Sequence, residues 1–233
     1  MKNKIRRLAI IPARGNSKRI KNKNLKFFCG KPVIKYTIDN ALKSKLFDKI
    51  HISTESKKIY NYASKLGIKP EFYRPKNLSK DLTSIFSVVS YVFNAYLKKQ
   101  IKFDEIWLLT ATSPLIVKSD LINASKFLLK NGSKYPLISV CKFKAPIEWS
   151  FTMSNTNTLT PINAKDIKKR SQYFKVKYFD TGSFAIFKPK NINQSNDKFY
   201  QGKFCGYEID QHRSVDIDTI EDWNLAEKLY RNI

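Results

Sequence analysis

Cysteine, histidine and glycine are all scarce: 3, 2 and 7 residues in a chain of 233. Cys29, Cys141 and Cys205 lie far apart with no CxxC pair, which argues against a disulfide framework and against a structural zinc site. Neither GxxxxGKS/T nor GxGxxG occurs, so phosphate would not be held by a glycine-rich loop of either kind. His51 falls inside an expected strand and His212 beside Arg213, and no Ser-His-Asp or Cys-His arrangement can be assembled from them. No apolar run approaches the roughly 18 residues of a membrane span. The basic, then apolar start MKNKIRRLAIIPAR is too short in its apolar part for a signal-peptide core. A cytoplasmic protein with no membrane partner is the expectation.

Acidic residues are also in short supply, 19 against 44 lysines and arginines, for a net charge of +25. Nucleic acid, an anionic membrane surface or small acidic substrates would each suit such a charge. The lysines run through the whole chain, so most of them belong to a solvated surface. Hydrophobic content of 42% with 13% aromatic is that of a globular protein. The length suits one good-sized domain, residues 1–233, and neither an internal repeat nor a low-complexity linker divides it.

The stretch that organises the rest is IPARGNSKRIKNKN, Ile11 to Asn24. The apolar run Leu8–Ile11 reads as a buried strand ending at Pro12. A loop follows that carries Arg14, Lys18, Arg19, Lys21 and Lys23, five cations in ten residues around the single Gly15. Residues 32–44 then read as a helix with Val33, Ile34, Ile38, Ala41 and Leu42 on one face. Strand, cationic loop and helix is the layout of an α/β nucleotide site, where ligands sit beyond the C-terminal ends of strands.

Further strands are expected over 46–55, 71–73, 105–109, 136–143, 182–187 and 206–209. Helices are expected over 56–66, after a cap at Thr83 or Ser84, over 118–130 and over 220–231. The helix after the Thr83 or Ser84 cap would bury Ile85, Val88, Val89, Val92, Tyr96 and Leu97. This alternation implies a mostly parallel, three-layer α/β/α sheet. From 144 to 179 the alternation stops, and the segment reads as an inserted subdomain or oligomer contact.

Three loops follow expected strands and would meet at one sheet edge: 14–24, 110–113 and 216–218. In the first, Arg14 could bind phosphate bidentately, assisted by backbone N–H groups; a basic nucleic-acid patch would look similar. Asp216-x-Asp218, read as strand, puts both carboxylates on one face, where they suit Mg²⁺. The rival use of Asp218 is to help Thr219 cap the last helix, with Asp222 completing a capping box.

These motifs together resemble the acylneuraminate cytidylyltransferases, which make CMP-activated nine-carbon sugar acids. The resemblance rests on IPARGNSKRIKNKN, on FCGKPVIKYTIDNALKSKLFDKIHISTES, on YRPKNLSKD, on LLTATSPL and on SVDIDTIEDWNLAE, in that order over nearly the whole chain. Within the family, the SKRI and FCGKP runs and YFDTGSFAIF are most similar to the enzymes that activate pseudaminic acid. Sialic, legionaminic and 3-deoxy-octulosonic acid are the alternative substrates, and a basic nucleic-acid-binding protein the non-enzymatic alternative.

The resemblance implies a Rossmann-like, glycosyltransferase-A-like nucleotidyltransferase fold and transfer of CMP from CTP with release of pyrophosphate. It places Arg14, Lys18 and Lys23 at the phosphates, with Asp218 completing the catalytic set and Gly15, Asn16, Ser17 and Asn24 lining the same loop. Arg74 and Ser84 match positions near the nucleotide, and Thr110, Thr112 and Ser113 border the cytosine and the sugar. Arg170, Ser171 and Gln172 approach the sugar acid, with Asp180 and Gly182 on the same side. Asp216 and Asp218 match a pair that holds Mg²⁺, and 144–179 matches a region that reaches across a homodimer. Asn16 stands where relatives often have a second glycine, and Thr110 where sialic-acid enzymes commonly have glutamine, which points away from sialic acid.

Overall fold

The computed structural model describes residues 4–132, 135–192 and 201–232, so the extreme ends of the expected 1–233 domain lie outside it. Its main sheet has six strands: β1 (Arg7–Pro12), β4 (Lys49–Ser53), β5 (Glu105–Leu109), β6 (Leu137–Lys142), β9 (Tyr178–Phe187) and β10 (Cys205–Glu208). Their order is β10-β6-β9-β5-β1-β4. β4, β1 and β5 pair in parallel, as do β6 and β10, while β9 runs antiparallel to both of its neighbours. The sheet is mostly parallel, as the spacing predicts, with one reversed strand near its middle.

The run Leu8-Ala9-Ile10-Ile11 is apolar throughout because both faces of β1 are covered. With side chains alternating across the strand, Ala9 and Ile11 enter one core and Leu8 and Ile10 the other. Helices α1 (Val33–Ser44), α2 (Lys57–Lys65) and α4 (Lys118–Asn131) cover the first face, through Ile34, Ile38, Ile59, Ala63, Leu121 and Ala124. Helix α3 (Ile85–Lys98) covers the second with Phe86, Val89, Val92, Phe93 and Tyr96. Leu42, Ile85 and Leu97, expected on buried faces, are exposed. On α3 Phe86 and Phe93 are buried instead, and on α1 Tyr36, against Phe28, and Thr37, because the buried stripe is rotated from the one the periodicity picks out.

A third, smaller core forms where the chain's two ends meet. Ile20 from the cationic loop, Phe28, Val33, Tyr36, Leu115 and Ile217 pack with Trp223 and Ala226 of the last helix, α6 (Ile220–Tyr230). Phe28 lies on β2 (Phe27–Phe28), which forms a small hairpin with β3 (Lys31–Pro32), an element the helix expectation over 32–44 does not foresee.

Three other expectations are corrected. Residues 71–73 form no strand; the chain bends there, and the Arg74 amide donates to the Thr54 carbonyl at 2.8 Å. Asp216–Asp218, read as strand, has no regular structure and joins no ladder. The segment 144–179 returns to the sheet before its expected end, because Tyr178 and Phe179 already pair with Lys142 and Cys141. The rest of that segment holds only short 3-10 turns and a hairpin, β7 (Phe151–Met153) with β8 (Leu159–Pro161). Helix α5 (Pro189–Ile192) follows β9.

His51, in β4, is 1% exposed, with Nδ1 3.1 Å from the Tyr96 hydroxyl and its ring against Phe72. Burial holds its imidazolium pKa down to about 3. The unfolded chain takes up this proton near pH 6.5, so acid favours unfolding. Folding stability is expected to fall between pH 6.5 and 4.5 by up to about 1.4 kcal/mol per pH unit from this group. Urea denaturation across that window should show a flatter slope in His51→Phe; an unchanged slope would refute the assignment.

Candidate active site

A cleft of about 240 Å³ opens beyond the C-terminal ends of β1 and β5, between Pro12 and the segment Thr110–Thr112. Its floor is set by the loop after β1. The Ala13 amide continues the pairing to the Ser53 carbonyl at 2.9 Å, and the chain then turns sharply against the start of α2. Gly15 is needed at that turn: a Cβ there would lie 2.8 Å from the Ser56 Cβ. Its amide donates to Glu55 Oε1 at 2.6 Å, and Glu55 Oε2 accepts from the Ser79 hydroxyl at 3.0 Å. The Gly15 N–H is therefore committed to Glu55, which removes it from the backbone donors expected to assist phosphate binding. Buried Asn24 donates to the Arg14 carbonyl at 2.9 Å and holds the loop closed from behind.

The loop cations are paired in two sets. Asp81, from the turn before α3, meets Arg14 Nη1 and Lys18 Nζ, each at 2.6 Å. Asp218 Oδ1 meets Arg19 Nη2 at 2.9 Å and Lys23 Nζ at 3.2 Å. The ammonium of Lys18 and the guanidinium of Arg14 hold the Asp81 carboxyl below the usual carboxylate range. Arg14, Ser17, Arg19 and Lys23 all line the cleft, facing Lys80 and Asp81 on its other wall. Asn16 and Lys21 are exposed.

Between Asp216 and Asp218, Ile217 is buried in the third core; Asp218 lines the cleft, Asp216 lies beside Gly182, and the charge of Asp218 is felt at the Asp216 carboxyl. Partial desolvation raises the Asp216 carboxyl, the Asp218 charge adds to this, and Lys23 opposes it. The rival use of Asp218 as a helix cap is answered directly. Asp222 Oδ2 accepts from the amides of Asp218 and Thr219, and the Thr219 hydroxyl accepts from the Asp222 amide. The Asp218 side chain is left to face the cleft. Among the described residues no three His, Cys, Asp or Glu side chains cluster as a metal site. The Asp216–Asp218 pair offers two hard oxygen donors, a set that suits a small divalent cation completed by water and phosphate.

Other expected site residues sit deeper or elsewhere. Arg74 lines the cleft but is 6% exposed, and its guanidinium donates to the Ser53 hydroxyl and carbonyl; burial lowers its pKa to about 10. Thr110 and Thr112 border the cleft, with the Thr110 hydroxyl donating to the Gly182 carbonyl and its own carbonyl accepting from Thr37 at 2.9 Å. Ser113 faces a small internal cavity behind them, shared with Thr37 and Asn40. Ser84 caps α3, accepting from the Ser87 amide at 3.2 Å. Asp180 accepts from the Gly182 amide at 2.8 Å, and Gly182, in the left-handed region at φ 64°, lies beside Asp216. Arg170, Ser171 and Gln172 are exposed on the inserted segment and do not line the cleft.

Arg19 stands among the five loop cations but outside the three matched to the phosphates, and Asp81, Glu55 and Lys80 are given no role by the motifs. The apolar Ile20 between Arg19 and Lys21 was the available sign that the loop packs there, which turns Arg19 toward the cleft. Asp81 was in view as the last residue of YRPKNLSKD, but nothing in the sequence gives its distance from Arg14.

Known proteins match this chain over nearly its full length. The family model for cytidylyltransferases covers residues 8–232. The chain is 35% identical over 227 residues to a pseudaminic acid cytidylyltransferase of Campylobacter jejuni, covering 97% of each. It is 30% identical over 230 residues to a CMP-N,N'-diacetyllegionaminic acid synthase of Legionella pneumophila, covering 97% of this chain and 96% of the relative. Among solved structures it resembles CMP:2-keto-3-deoxy-manno-octonic acid synthetase complexed with CTP, with a TM-score of 0.67 at 14% identity, over 97% of this chain and 99% of the other. That likeness shows a shared nucleotidyltransferase fold. Because the family match runs from β1 through α6, it takes in the sheet, the cationic loop and the aspartate pair together, and the chain belongs to the cytidylyltransferase family.

Proposed function

We propose that this enzyme transfers CMP from CTP to the anomeric hydroxyl of a nine-carbon sugar acid, pseudaminic acid first among them, releasing pyrophosphate. The observation that carries the reading is the strand-end cleft lined from one loop by Arg14, Arg19 and Lys23, with exposed Lys18 joined to its rim through Asp81. The name of the 35% identical relative supports the choice of sugar acid. Activation of sialic, legionaminic or 3-deoxy-octulosonic acid is the neighbouring reading.

In the reaction the anomeric oxygen attacks the α-phosphorus in line, and the bond to the β-phosphate bridging oxygen breaks. Such transfers depend on positioning and charge neutralisation more than on covalent catalysis. Arg14, Lys18 and Lys23 would stabilise the negative charge that builds on the leaving pyrophosphate, with Arg19 beside them. Arg74 supports the wall through Ser53, and Thr110, Thr112 and Ser113 shape the side toward the base and sugar. Asp216 and Asp218 would hold Mg²⁺. The fit rests on the two nearby carboxylates, of which Asp216 is raised first by burial and then by the charge of Asp218. When bound, the metal would neutralise phosphate oxygens and acidify the attacking hydroxyl.

The inserted segment is read as a homodimer contact, because Phe151, Met153, Leu159, Ile162 and Val176 are exposed apolar side chains on it. It carries Arg170, Ser171 and Gln172, which would approach the sugar acid from there. Among the described residues no helix is long and apolar enough to cross a membrane. Soluble CTP and sugar acid in the cytoplasm are the partners this reading needs.

A pyrophosphate-release assay with CTP, Mg²⁺ and a panel of nonulosonic acids tests the activity, with ATP, GTP and UTP as controls. Release is expected with CTP alone and fastest with pseudaminic acid; no release with any acid would end the proposal. Lys23→Ala should slow release by roughly 10²–10³-fold, as loss of one electrostatic donor does elsewhere. Asp218→Ala should abolish the response to added Mg²⁺, and near-normal turnover would remove the metal assignment. Light scattering should give a dimer that Met153→Glu with Phe151→Asp converts to monomer; a monomeric parent protein would discard the dimer reading.

A further inference from the structure

Asp81 is assigned no role by the motifs or by the proposed chemistry, yet it touches the cations on which that chemistry rests. Each of its two carboxylate oxygens meets a different cation: Oδ1 meets Arg14 and Oδ2 meets Lys18, both at 2.6 Å. Two adjacent oxygens bridging a guanidinium and an ammonium is the contact a phosphate group would make with the same pair. Asp81 also lines the cleft, so it borders the volume a triphosphate would enter.

The turn that presents it is anchored at both ends. Ser79 on its N-terminal side donates to Glu55, the residue that also binds the Gly15 amide. On its C-terminal side the Thr83 amide donates to the Lys80 carbonyl at 3.1 Å, and Ser84 caps α3. The carboxylate thus projects from a set position, against the same loop that carries its partners.

We propose that Asp81 is a built-in competitor for polyphosphate: a triphosphate binds Arg14 and Lys18 by displacing its carboxylate, which recaptures both cations when pyrophosphate leaves. Two consequences follow from charge alone. A single phosphate group must give up as many contacts as it gains, so the cleft favours ligands with several phosphates. A product that has lost its link to the nucleoside faces an intramolecular rival for two of its cations, which hastens its departure.

The proposal rests on reading the cleft as a triphosphate site, but its test needs no turnover. Calorimetric titration without added metal uses inorganic tripolyphosphate, pyrophosphate and orthophosphate as probes. Asp81→Asn should bind the first two about tenfold more tightly than the parent, the scale of one charge-assisted contact no longer displaced. Asp81→Glu, which keeps the rival charge, should stay near the parent. Glu208→Gln, on the edge strand β10, removes one negative charge elsewhere and sets the effect of net charge alone. Affinities of Asp81→Asn that match the parent, fall below it, or gain no more than Glu208→Gln would overturn the proposal. Should Asp81→Asn not fold, Asp81→Ser replaces it under the same criteria. Unchanged anion affinity with CTP-dependent release intact removes the role of Asp81 alone; tighter anion binding with no release from any sugar acid removes the transferase reading alone.

Discussion

Five positive charges within ten residues of one loop repel one another, and the architecture around the cleft answers that repulsion. Asp81 and Asp218 each take two of the cations, from positions 67 and 199 residues along the chain from Arg14 and Arg19 respectively. Exposed ion pairs of this kind add little to folding stability, so their value lies in arrangement. They hold side chains that would otherwise spread into solvent pointing at one another across a cleft. A site built this way is ready for an anion with several charges, and offers less to a neutral ligand.

The pairs exist only because apolar burial brings their backbones together. Ile20 and Ile217 enter the same small core with Phe28 and Trp223, which sets the cationic loop against the segment carrying Asp216 and Asp218. On the other side, Glu55 binds both the Gly15 amide and the Ser79 hydroxyl, and so brings the turn with Asp81 against the loop. Charge writes the chemistry of the cleft, and burial decides which charges meet. The close contact of Gly15 with Ser56 belongs to the same scheme, since any side chain there would push the loop off β4 and α2.

The reversed strand β9 does a different job. It lies between β5 and β6, and midway along it Gly182 reaches both Thr110 and the neighbourhood of Asp216. One strand therefore links the loop after β5 to the aspartate pair. It also takes the chain back into the sheet from the inserted segment, on which Phe151, Met153, Leu159, Ile162 and Val176 are exposed.

Much of this was legible in the residues themselves. The unbroken apolar run of β1 announces a strand covered on both faces, Gly67 and Gly132 end their helices in the left-handed region, and Thr219 with Asp222 forms the expected capping box. Those features are local, set by propensity and periodicity within a few residues, and the ordered motifs carried the family with them. The direction of β9, the rotation of the buried stripes on α1 and α3, and the hairpin of β2 and β3 were not legible, because each depends on what packs opposite. The same holds at the site. The sequence alone determined that the loop after β1 is a concentrated positive charge beside a distant pair of aspartates. Only the tertiary structure decided that Arg19 belongs with Lys23 on Asp218, that Arg14 and Lys18 share Asp81, and that the Gly15 amide is already taken. Long-range pairing follows from how three cores close, and no spacing along the chain encodes it.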